Sequence, residues 1–84
     1  MTGEKLRESM AFGKAVRLAR KSMGISQDSF ADRSGLHRTY IGAIERGEKN
    51  PTLNSIFRLA TALQIPPHKL IEKTLSMLEE GTGD

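Results

Sequence analysis

Few residues in this chain could do covalent or metal chemistry. It has no cysteine, which excludes a thiol nucleophile, a disulfide framework and a Cys-based zinc site. Its two histidines, His37 and His68, belong to different predicted helices. Asp28 and Asp32 stand i, i+4 and could share a cation on one helix face. The simpler reading of that pair is dipole complementarity near a helix N-terminus plus a solvated face. No metal or cofactor is expected, and an enzyme is the weakest functional reading. The residue types that do accumulate are Lys and Arg. Residues 14–58 hold nine basic side chains against four acidic ones, a net +5, while residues 59–84 carry −2 and residues 1–13 balance. The whole chain is +3. A basic centre with an acidic end fits a surface that binds a polyanion, nucleic acid above all.

Helices must position those charges, because apolar and β-branched alternation never runs long enough for a strand. Phe12, Val16, Ala19 and Met23 recur at helical spacing, and Leu6 and Met10 extend the pattern backwards. Gly24 ends that helix. Ser26 reads as an N-cap for a second, short helix through Phe30, Ala31 and Ser34, which Gly35 stops. A third helix spans 38–46, with Ile41 and Ile44 on its buried side. After a loop at 47–51, Thr52 caps a fourth with apolar Leu53, Ile56, Leu59, Ala60 and Leu63. Pro67 suits the first residue of a fifth, which runs to Leu78 and leaves residues 79–84 as a flexible polar tail. At 84 residues this is one domain, 1–84, with about 4–13 kcal/mol of stability to work with. No segment approaches the ~20 apolar residues of a membrane span. Charges at Glu4, Lys5, Arg7 and Glu8 with no apolar run behind them are unlike a signal peptide, so a cytoplasmic, nucleoid-associated protein is expected.

Two short helices joined by a glycine-containing turn make a helix-turn-helix. The joint is too short for an antiparallel pair, so the helices cross steeply and the third can project. Arg38, Thr39, Gly42, Ala43 and Arg46 are expected on its outer side, small and basic, which suits entry into a major groove ~12 Å wide.

The run Gly24-Ile25-Ser26-Gln27, Phe30-Ala31, Ser34-Gly35-Leu36, Tyr40-Ile41, Ile44-Glu45-Arg46-Gly47 and Asn50-Pro51-Thr52-Leu53 resembles the Xre/Cro-type helix-turn-helix family of phage repressors. The resemblance covers roughly residues 11–72. With His37-Arg38-Thr39-Tyr40-Ile41 and a C-terminal helix, the chain looks most like the controller proteins of restriction–modification systems. The resemblance implies an all-α, five-helix, lambda-repressor-like DNA-binding domain with the helix-turn-helix at helices 2 and 3. It implies base reading by Arg38, Thr39 and Ala43. Arg38 would take guanine O6 and N7, and Ala43 a thymine methyl. It also implies phosphate contacts from Ser26, Gln27, Arg17, Arg46, Lys49 and Asn50, and a structural ion pair between Arg20 and Glu45. Two positions depart from the pattern. Ser29 replaces the glutamate that would complete a capping box. His37 replaces the usual Ser, Thr or Asp cap; it is either a poor cap or a titratable donor near phosphate.

The fifth helix carries more apolar surface than one core stripe needs. Leu70, Thr74 and Met77 form one row, and Ile71, Leu75 and Leu78 a neighbouring one. One row closes the core; the other is expected to pair two copies, since helix-turn-helix proteins read two half-sites as dimers. The leading expectation is a transcriptional regulator that binds a palindromic operator in double-stranded DNA as a homodimer. The antitoxin of a toxin–antitoxin pair, and a protein-interaction module on the same fold, stay open as alternatives. So do a contact with RNA polymerase and the identity of any toxin partner.

Overall fold

The computed structural model describes residues 6–80. Among them are five helices and no strand: α1 (Arg7–Met23), α2 (Gln27–Ser34), α3 (Arg38–Glu45), α4 (Leu53–Ala62) and α5 (Pro67–Glu80). None is long and apolar enough to cross a membrane.

Local chemistry sets most of the boundaries. Gly24 and Gly35 end α1 and α2 at φ 73° and 72°, a left-handed conformation that costs glycine little. Ser26 caps α2 by accepting from the Ser29 N–H at 3.0 Å, and Thr52 caps α4 by accepting from the Ser55 N–H at 3.0 Å. His37 occupies the N-cap of α3 but makes no capping hydrogen bond with its side chain. Gln64, just past α4, adopts φ 62° without being glycine.

Val16, Phe30, Ile41, Ile44, Leu59 and Leu70 are the largest fully buried side chains, and every helix contributes to them. α1, the longest helix, packs against α5 on one side and α3 on the other. Its crossing with α3 is backbone on backbone. A Cβ at Gly13 would overlap the Ile44 carbonyl oxygen and stand 2.9 Å from that of Glu45. α2 packs on both α3 and α4, which completes the ring around the core.

Three expectations need correction. Leu53 is not a core residue: it is 71% exposed. It opens the first turn of α4, where the Cα–Cβ bond tilts toward the N-terminus and away from the packed turns. Glu79 and Glu80 are not tail but the last residues of α5; residues 81–84 lie outside the described part. Ala43 is only 7% exposed, and Gly42 is also buried, so the outer side of α3 is narrower than its periodicity implied. At eight residues, α3 has little over two turns, and its middle is enclosed as its ends are held.

Candidate nucleic-acid interface

A buried polar cluster lies where α1, α2 and α3 meet. Arg20 Nε donates to Glu45 Oε2 at 2.7 Å and Nη2 to Oε1 at 3.1 Å, a bidentate pair. The two side chains are 10% and 3% exposed. Arg20 Nη1 also donates to the Ile25 carbonyl at 2.8 Å, and Gln27 Nε2 donates to Glu45 Oε1 at 3.0 Å. The hydrogen bond with Glu45 raises the Arg20 pKa above its ordinary value; burial opposes this, and the charge of Glu45 adds to it. One carboxylate on the last turn of α3 is therefore gripped from α1 and from the start of α2. The side-chain amide of Gln27, for which a phosphate contact is expected, donates to Glu45 in this structure.

A second set of bonds ties α3 to α4. Tyr40 Oη donates to Ser55 Oγ at 3.1 Å, and Thr52 Oγ1 donates to the same oxygen at 3.0 Å. With both sides of α3 anchored, its first turn is left projecting. Arg38 and Thr39 are exposed there, and Ser26 is exposed at the neighbouring N-terminus of α2. Arg38 Nε lies 2.9 Å from Asp28 Oδ1, a pairing across the two helices that spacing alone does not reveal.

At the other end of α3, Arg46, Lys49 and Asn50 are exposed. Arg46 turns toward Glu48, with Nε 3.0 Å from Oε2 and Nη2 3.2 Å from Oε1. Its guanidinium also covers Gly42, where a Cβ would stand 3.0 Å from Nη1. The buried state of Gly42 thus comes partly from a neighbouring side chain of the same chain. Arg17 is exposed on α1, and a groove between α1, the end of α3 and α5 is lined by Arg17 and Arg46 together with Lys14, Met10 and Leu78. Arg38 and Thr39 therefore stand at one end of α3, and Arg17, Arg46, Lys49 and Asn50 lie toward the other; Ser26 precedes Gln27, whose amide reaches Glu45 at that other end. Ala43 sits between them, buried, and does not present a methyl for a base without rearrangement.

On α5, Ile71 and Leu75 are 48% and 55% exposed and Leu78 is half-buried, whereas Leu70 and Thr74 are buried. The two rows therefore separate over residues 70–75, while Met77 and Leu78 at their ends are both half-buried. Leu53 and Phe57 form a further exposed pair at i, i+4 on α4. The i, i+4 spacing of this pair is visible in the sequence, where Leu53 also fits the apolar stripe of α4.

The family model for helix-turn-helix proteins matches residues 16–70, from mid-α1 to the first turn of α5. The chain belongs to the helix-turn-helix family. Within it, the chain is 44% identical over 66 residues to Control protein C.SmaI of Serratia marcescens, covering 79% of each chain. It is 41% identical over 66 residues to Control protein C.BamHI of Bacillus amyloliquefaciens, covering 77% of this chain and 82% of the other. Among solved structures, it is similar to the restriction-modification controller protein C.AhdI from Aeromonas hydrophila. That match has a TM-score of 0.75 at 43% identity and covers 77% of this chain and 98% of that one. The controller protein C.Esp1396I, solved as a tetramer in complex with its natural 35 base-pair operator, matches with a TM-score of 0.79 at 25% identity. It covers 86% of this chain and 95% of that one. The five helices described above are those of the helix-turn-helix controller fold.

Proposed function

We propose that this protein is a sequence-specific DNA-binding regulator of transcription, acting in the cytoplasm as a homodimer on a palindromic operator. The observation that carries the reading is the exposed first turn of α3, Arg38 and Thr39, presented by a helix braced through Glu45 at one end and Tyr40 on its flank. The similarity to control proteins, and the operator complex of one such controller, support it. They favour a regulator over an antitoxin or a protein-interaction module, and binding over catalysis. In this reading Arg38 and Thr39 meet base edges in the major groove. Ser26, Arg17, Arg46, Lys49 and Asn50 meet phosphates on either side, the contacts that position without specifying.

Selection of bound duplexes from a random pool tests the reading directly. It should return two inverted half-sites about one DNA turn apart, ~34–36 Å. Enrichment of no sequence would sink it. Arg38→Ala should cost ~1–3 kcal/mol against the selected operator and relax preference at one base position. An equal loss against every duplex would instead make Arg38 a phosphate contact.

Ile71, Leu75 and Leu78, on one side of α5, supply the dimer contact in this reading. A contiguous exposed apolar patch is uncommon on a monomer. Leu75→Glu should shift sedimentation toward the monomer and weaken operator binding in parallel. Dimer mass retained with full affinity would place the interface elsewhere.

A further inference from the structure

We propose that Asp28 is a positioning residue for DNA reading: it holds the Arg38 guanidinium by one edge so that the other edge meets a single base. The inference rests on the DNA-binding reading above and goes beyond it. Asp28 is an acidic, exposed side chain inside the +5 segment. A carboxylate there repels phosphate and weakens attraction to any duplex. Its partner choice explains what it does instead. Asp28 stands in the first turn of α2 and Arg38 is the first residue of α3, so the pair spans the turn of the helix-turn-helix. The contact is a surface ion pair, Arg38 Nε 2.9 Å from Asp28 Oδ1, with the side chains 62% and 78% exposed. An arginine held at Nε keeps its terminal Nη1 and Nη2 fork available, and that fork fits guanine O6 and N7 bidentately.

An unheld arginine on an exposed first turn samples many rotamers and can reach phosphates or other bases. Holding it lowers the ordering cost on binding and restricts what it can reach. Asp28 therefore trades general affinity for discrimination. The effect is bounded by the strength of an exposed ion pair, which corresponds to up to about 5-fold in an equilibrium constant.

The test uses the full chain, the selected operator and a set of duplexes altered at one base pair each. Asp28→Asn should raise affinity for unrelated duplexes while reducing discrimination at the Arg38 base position by about 2- to 5-fold. In an Arg38→Ala background, Asp28→Asn should leave the discrimination profile unchanged, and Asp28→Glu, which keeps the carboxylate, should preserve it in the parent chain. If Asp28→Asn instead changes affinity for every duplex by one common factor, Asp28 only repels phosphate or serves the α2 dipole, and the inference is overturned. A parent chain that selects no sequence would remove the DNA-binding reading itself, a result distinct from a selected site that Asp28→Asn reads equally well.

Discussion

Gly13→Ala should lower folding stability by about 3 kcal/mol or more, a large part of what a domain this size holds. The added methyl has nowhere to go. It would overlap the Ile44 carbonyl oxygen, with the Glu45 carbonyl oxygen only 2.9 Å away, and both are backbone. α1 would have to lift off α3, which would also disturb the grip of Arg20 on Glu45. Gly42→Ala is the matched control. A Cβ there meets only the flexible end of Arg46, at 3.0 Å, and alanine is favoured over glycine in a helix by roughly 0.5–1 kcal/mol. Urea midpoints should therefore fall sharply for Gly13→Ala and stay level or rise for Gly42→Ala. Equal midpoints would mean that the α1–α3 crossing is looser than described.

Arg20→Met should cost about 3–5 kcal/mol, because it leaves a carboxylate 3% exposed with Gln27 as its remaining side-chain donor. The cost comes from the orphaned charge more than from the lost attraction. The double change Arg20→Met with Glu45→Leu should accordingly recover much of the loss, since replacing both partners of a buried pair by apolar groups is often near neutral. Denaturation of the two single variants and the double one completes the cycle. A cost below about 1 kcal/mol for Arg20→Met would class the pair with solvent-screened surface bridges. Recovered stability need not restore DNA binding, because an apolar pair lacks the fixed geometry of a bidentate fork.

Much of this was legible in the residues themselves. Gly24, Ser26, Gly35, Thr52 and Pro67 punctuate the chain with residue types whose backbone or capping chemistry admits few alternatives, and the helices begin or end at them. What was not legible depends on tertiary contact. Periodicity places Ala43 opposite Ile41 and Ile44 but cannot say that both sides of so short a helix will be enclosed. It assigns Leu53 to a stripe without knowing where the core stops. The partner choices of Gln27 and Arg38 were hidden for a related reason. Polar side chains with several donors settle on whichever acceptor the fold brings near, and Glu45 and Asp28 are eighteen and ten residues away in sequence. The last turn of α5 was missed because Glu79 and Glu80 read as solvent-seeking, although glutamate is an able helix former.

The seat of α1 between α5 and α3 gives the molecule a gauge as well as a reader. It touches α5 on one flank and, at Gly13, the backbone of α3 on the other, so it is the direct link between the proposed pairing face and α3. In the proposed dimer, with two copies joined through α5, the span between the two α3 helices would be set through α1. One extra base pair between half-sites shifts the far one by ~3.4 Å and turns it by roughly 35° around the duplex. A dimer that held this span fixed would require the duplex itself to bend or twist to close the gap.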